Sequence, residues 1–190
     1  MLPSQGIETE RLILRQWKPT DFPAFAELNS DKEVMRFFPS TLSAEESKGM
    51  AQRCSDLVAQ RGWGFWAAQE KASGSFIGFI GLHVPIAELP ASPCVEIGWR
   101  LGRKWWGQGL ATEGAKAALE FAFNTLLLSE VVSFTSVQNS RSEAVMRRLG
   151  MQRDPATFEH PSIPPGHPLR EHCLYRATAS CWSIDSVQIS

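Results

Sequence analysis

Residues 102–109 read GRKWWGQG and run straight into a helix-forming stretch that begins at Leu110. Gly107 and Gly109 remove two Cβ atoms at the mouth of that helix, where backbone N–H groups have no intrahelical acceptor. Such amides can converge on one small space, and the helix dipole behind them favours an anion there. Arg103 and Lys104 add positive charge at the rim. The spacing predicts a site for a phosphate or pyrophosphate.

Two common nucleotide motifs do not fit. A Walker loop needs G-x-x-x-x-G-K-S/T, and no GKS or GKT occurs in the chain. A Rossmann turn needs a third glycine where Thr112 stands, and it belongs tight against a strand near the start of paired βαβ units. A third pattern, Gln/Arg-x-x-Gly-x-Gly/Ala between a strand and a long helix, is that of a coenzyme A pyrophosphate loop. KWWGQG fits it, with Lys104 where Gln or Arg is usual.

The elements that must position this turn are legible from periodicity. RLILRQ at 11–16 alternates as a half-buried strand, and Phe22, Phe25, Ala26 and Leu28 mark one face of a helix. Ser43 and Glu46 have capping-box spacing, opening a helix that runs toward Arg61. Residues 65–70 and 75–83 form a predicted hairpin around KASG. VEIGWRL at 95–101 is the clearest strand, with Val95, Ile97, Trp99 and Leu101 on one side and Glu96, Gly98 and Arg100 on the other. Ala111, Ala115, Ala118, Leu119, Ala122 and Leu126 mark a face of the long helix. A β-branched strand is predicted over 130–137, and a helix over 140–149 with Ser140 and Glu143 as its capping box. A proline-rich loop over 157–168 precedes a last strand at 173–177. Helices interrupting a mixed sheet predict an α/β or α+β fold. The domain is expected over 1–178, with 179–190 a C-terminal tail or dimer contact.

Composition narrows the function classes. The 190 residues are 43% hydrophobic and 21% charged, which suits one globular domain. A net charge of −1 points to neither nucleic acid nor a membrane surface as partner. Cys54, Cys94, Cys173 and Cys181 form no C-x-x-C pair and no zinc-like spacing with histidine, so reduced thiols, no metal and a cytoplasmic location are expected. The N-terminus lacks the regions of a secretory signal.

Longer stretches carry a resemblance. TERLILR at 9–15, FIGFIGL at 76–82, EIGWRLGRKWWGQGLATEG at 96–114, NSRSEAVMRRLGM at 139–151 and HCLYR at 172–176 occur in order. Together they are similar to the GCN5-related N-acetyltransferases (GNAT), within them to the ribosomal-protein N-terminal acetyltransferase branch. That resemblance implies the GNAT acyl-CoA N-acyltransferase fold. Its mixed, mostly antiparallel sheet of about seven strands is flanked by helices, and two neighbouring strands splay apart to admit acetyl-CoA. It implies cofactor contacts at Trp99, Arg100 and Leu101, with backbone groups of Trp99 and Leu101 pairing to the pantetheine. Lys104, Trp105, Trp106, Gly107, Gln108, Gly109, Leu110, Ala111 and Thr112 would hold the pyrophosphate end, and Asn139 and Ser142 would contact the coenzyme from the next helix.

The implied reaction is direct acetyl transfer to a primary amine in a ternary complex. An amine must be neutral to attack, so a base is needed near neutral pH. The resemblance gives that role to Glu96, a salt-bridged surface glutamate being the plainer alternative. Many relatives place a tyrosine seven residues past Asn139 to protonate the departing thiolate. Here that position is Met146, the only tyrosine is Tyr175, and Ser142 matches a serine with this role in the ribosomal-protein branch. The expected acceptor is a protein N-terminus. A small amine is the alternative, and a non-catalytic coenzyme A-binding module a third reading. A homodimer is common among such relatives. Trp63 and Trp66 fit core packing better than an acceptor pocket, and His83, His160, His167 and His172 match no metal-ligand spacing.

Overall fold

A computed structural model describes residues 6–185 of the chain. Its strands are β1 (Ile7–Glu8), β2 (Leu12–Arg15), β3 (Phe65–Glu70), β4 (Phe76–His83), β5 (Glu96–Leu101), β6 (Glu130–Ser136), β7 (Gln152–Glu159) and β8 (Glu171–Thr178). The helices are α1 (Phe22–Ser30), α2 (Ala44–Arg61), α3 (Leu110–Asn124), α4 (Ser140–Arg148) and α5 (Ala179–Asp185). The strands form one sheet in the order β1-β2-β3-β4-β5-β6-β8-β7. Every neighbouring pair is antiparallel except β5 and β6, which run parallel. This is the mixed, mostly antiparallel sheet the resemblance implies, with the brief β1 raising the strand number to eight.

Alternation along the strands builds a core on each face. Leu12, Leu14, Trp66, Ile80 and Ile97 pack with Ala115, Ala118, Leu119 and Ala122 of α3. Phe25, Leu28, Ala51 and Cys54 of α1 and α2 cover Trp17, Ala67 and Phe79 on the opposite face. A residue shift of one would exchange these two sets, so the pattern fixes the register. Trp66 is fully buried with its ring edge-on to Phe121, so it is a core residue, and Trp63 packs half-buried beside it.

The Ser43 capping box forms as predicted: Ser43 Oγ accepts from Glu46 N at 3.2 Å, and Glu46 returns a bond to Ser43 N at 2.8 Å. The second predicted box does not. Asn139, not Ser140, caps α4, its side-chain oxygen accepting from Ser142 N at 3.2 Å. Glu143 turns inward instead, accepting from the Tyr175 hydroxyl at 2.8 Å and from Arg147 at 3.0 Å. A buried phenol offers a carboxylate more than an exposed cap does, because it would otherwise lack a partner.

Residues 152–159, the last three of them predicted as loop, form the edge strand β7. Its ladder with β8 breaks between Arg153 and Thr157, the bulge that contains Pro155. Proline is tolerated there because an edge strand need not donate from that position. The proline-rich loop is therefore shorter, and closes where His160 N donates to Arg170 O at 2.9 Å. Beyond β8, α5 brings Trp182 against Phe123 with ring centroids 5.7 Å apart. The remainder of the predicted tail, 186–190, lies outside the described residues. No helix among the described residues is long and apolar enough to cross a membrane.

Candidate active site

The two parallel strands meet only at one end. Glu96 stands opposite Val132, and Val132 N donates to Val95 O at 2.9 Å. Further along, Ser133 Oγ donates to Ile97 O at 3.0 Å, and there the strand-to-strand ladder has ended. Since backbone groups alternate sides along a strand, those of Trp99 and Leu101 also face the opening gap. The Leu101 carbonyl is met by the Trp106 indole N–H at 2.8 Å. The Trp99 amide and carbonyl and the Leu101 amide have no protein partner among the described residues. They form an edge ready to pair with an extended polar chain.

A cleft of about 1400 Å³ runs through this gap. Its walls include Glu96, Trp99, Arg100, Leu101, Trp105, Trp106, Gly107, Gly109, Leu110, Ala111, Thr112, Asn139 and Ser142, so thirteen predicted site residues converge on one space. Gly107 and Gly109 both adopt left-handed backbone, with φ of 72° and 79°. A Cβ at Gly107 would meet nothing within 4 Å, so conformation rather than crowding requires glycine there. The amides from Gly107 to Thr112 donate to no protein acceptor among the described residues. These unpaired amides lie where the spacing predicted an anion site, at the N-terminus of a 15-residue helix.

Arg11, not singled out in the sequence, locks this cradle in place. Its guanidinium donates to Gln108 O at 2.8 Å and to Glu113 at 2.6 Å, while its backbone N–H bonds Glu113 at 2.8 Å. Thr9 adds a hydroxyl bond to the same carboxylate at 2.6 Å. The only local signal for this pairing was the charged TER at 9–11, which does not reveal a partner a hundred residues away. Arg141, also unpredicted, lies over the Trp106 ring at 4.6 Å and adds charge to the cleft wall.

Three predicted cofactor residues direct their side chains away from the free amides of the glycine turn. The Lys104 ammonium lies over the Trp105 ring at 4.9 Å, on the exposed side. Gln108 turns its amide back onto Lys104 O at 2.7 Å. Arg100 faces β4 with its backbone, and its side chain crosses to α1, where Nη1 donates to Asn29 at 2.7 Å. Strand alternation puts its groups on the side opposite to those of Trp99 and Leu101.

At the junction of β5 and β6, protein encloses Glu96 except where it borders the cleft. Burial pushes its carboxyl up to about 8, and no hydrogen bond or ion pair reaches it among the described residues. A surface salt bridge at Glu96 is thereby replaced by a desolvated acid poised near neutral pH. Asn139 Nδ2 donates to Ser142 Oγ at 3.0 Å and to Thr135 Oγ1 at 2.9 Å. Ser142 Oγ is thus used as an acceptor, and its own proton stays available to the cleft. Met146 is buried and Tyr175 is spent on Glu143 and Arg147, away from the cleft. His160 and His167 accept turn amides through Nδ1, and no group of three or more His, Cys, Asp or Glu converges as a metal site among the described residues.

A splayed parallel pair beside a glycine-capped helix defines a class of acyltransferases. Residues 11–152 match the family model of the acetyltransferase (GNAT) domain, and the chain belongs to that family of N-acetyltransferases. It is 32% identical over 164 residues to the FsC-acetyl coenzyme A-N(2)-transacetylase of Aspergillus fumigatus, covering 82% of this chain and 68% of that one. An acetyltransferase structure from Agrobacterium tumefaciens superposes with a TM-score of 0.73 at 30% identity, over 91% of this chain and 94% of the other. RimL, a ribosomal α-N-protein acetyltransferase solved with coenzyme A, shares the fold with a TM-score of 0.71 at 21% identity. The match covers 92% of this chain and 98% of RimL.

Proposed function

We propose that the chain transfers an acetyl group from acetyl-CoA to a primary amine by direct attack in a ternary complex, and that the preferred acceptor is a protein N-terminal α-amine. The observation that carries this reading is Glu96: a desolvated carboxyl raised to about 8 at the point where the splayed strands part. Acetyl-CoA supplies an activated thioester. The free backbone groups of Trp99 and Leu101 would align its pantetheine arm, and the amides of Gly107 to Thr112 would hold its pyrophosphate. Glu96 takes the amine proton, directly or through water, as the nitrogen bonds to the acetyl carbon and the C–S bond breaks. Ser142 donates its hydroxyl hydrogen bond to the departing sulfur. Orientation supplies much of the rate, since no covalent enzyme intermediate is required.

The N-terminal reading is supported by the fold shared with RimL and by the branch motifs at 96–114 and 139–151. The transacetylase relative from Aspergillus fumigatus supports the small-amine alternative. We place the reaction in the cytoplasm, in keeping with four cysteines that lack disulfide-framework spacing. A screen of N-terminal peptides and small amines with acetyl-CoA, read by thiol release, tests the acceptor class. Release with peptides and not with small amines supports the first reading; the reverse overturns it.

A further inference from the structure

Arg100 is a buried cation without an anion. It is only 8% exposed, and burial lowers its guanidinium to about 10. Nη1 donates to Asn29 at 2.7 Å and touches Met50 Sδ at 3.9 Å. Nε has no hydrogen-bond partner, and Nη2 donates to no protein atom among the described residues. The guanidinium is stacked instead, 4.2 Å from the Phe38 centroid and 5.4 Å from that of Phe79. Leaving buried donors unmet costs free energy unless something else supplies the acceptor.

The surrounding carboxylates are already engaged. Asp31 pairs with Arg103 at 3.0 Å, Glu33 with Arg36 at 3.9 Å, and Glu46 accepts from Ser43 N at 2.8 Å. A smaller cavity of about 410 Å³, which Arg53 also lines, meets the main cleft at Phe38, Met50 and Arg100. The guanidinium therefore stands where two cavities join, and both are otherwise rich in apolar side chains.

Its position relative to Glu96 sets a length. Glu96, Gly98 and Arg100 share one side of β5, so the end residues are separated by roughly 13 Å along the strand. Between them Gly98 leaves room for the Phe65 ring, which a Cβ there would approach to 3.2 Å. Phe65 stacks on His83 at 5.1 Å and against Phe79 at 4.7 Å, giving an aromatic floor between base and cation.

We propose that Arg100 reads a carboxylate on the acceptor, so that the enzyme acts on amines carrying an acidic group roughly 10 Å from the nitrogen. This rests on the N-acetyltransferase reading of the same cleft. The spacing is too long for a free α-amino acid. It suits an acidic side chain two residues into a peptide N-terminus, or the end carboxylate of a long ω-amino acid.

Matched pairs test it: the tripeptides Ser-Ala-Glu and Ser-Ala-Gln with amidated C-termini, and 8-aminooctanoate against its amide. Wild type should show kcat/KM about tenfold or more higher for the acid of one pair, and the pair that responds identifies the source. Arg100→Gln should erase the preference and Arg100→Lys restore part of it. Equal rates for acid and amide in both pairs would overturn the proposal, and this needs no variant to fold. Calorimetry on the coenzyme A-loaded protein separates the two readings. Acid-selective binding without acetyl transfer supports the Arg100 site while sinking the catalytic assignment; binding indifferent to charge sinks the Arg100 site alone.

Discussion

The Asn139 side chain holds Ser142 twice, accepting from its backbone N–H at 3.2 Å and donating to its Oγ at 3.0 Å. One residue thus caps α4 and aims a hydroxyl proton at the cleft. Asn139→Ala should cost about 1 kcal/mol of stability through the lost cap. Ser142→Ala should leave Tm nearly unchanged while lowering kcat severalfold. Thermal melts and steady-state kinetics on both variants check this, and a kcat for Ser142→Ala equal to wild type would remove Ser142 from the reaction.

Gly107→Val should weaken acetyl-CoA binding by at least tenfold in calorimetry. A β-branched residue resists a φ of 72°, so the amides would turn away from the anion even though the added atoms find open space. Unaltered affinity would show that the pyrophosphate lies elsewhere.

Arg11→Met should loosen the loop from the sheet edge, since Gln108 O loses its donor and Glu113 keeps only the backbone N–H of residue 11 and the Thr9 hydroxyl. The expected result is a severalfold weaker acetyl-CoA Kd with the same acceptor KM. A change confined to the acceptor KM would contradict this division of labour.

Glu96 makes two pH predictions. As a base near 8, it becomes competent only as pH rises, so kcat/KM should climb through about 8 in wild type. Glu96→Gln should lower the rate most near neutral pH and regain part of it at high pH, when the amine is already neutral. Stability follows the opposite sense. The carboxyl is raised from 4.5 to about 8 in the fold, so its stabilising contribution is complete below the unfolded value and fades as pH climbs to about 8. The gain in Tm from Glu96→Gln should therefore be larger at alkaline than at acid pH, and a pH-independent difference would disprove the burial.

Tyr175→Phe removes the hydroxyl bonded to Glu143 and Arg147. It should lower Tm, by about 1 kcal/mol of stability for the lost buried hydrogen bond, since Arg147 still pairs with Glu143, and leave kcat alone. A large loss of kcat would return Tyr175 to the list of acids.

Where the sequence was legible, the information lay within a few residues. The glycine turn, the Ser43 cap and the alternation of 95–101 are set by local backbone chemistry, and each formed as read. Glu143 and Asn139 show the limit. Both fit the pattern of a helix start, but a tyrosine from β8 claimed the glutamate and left the cap to asparagine alone. Strand β7 was missed because Pro155 and a bulge interrupt its alternation.

By itself the sequence determined the glycine turn before α3, the strand bearing Glu96 and the order of elements, because φ preferences and periodicity act along the chain. Only the tertiary structure decided that β5 and β6 part after Glu96, that protein encloses its carboxyl, and that Arg100 turns toward α1 rather than the glycine turn. Those outcomes depend on partners tens of residues distant, whose competition for burial and hydrogen bonds is settled only when the faces of the sheet are packed.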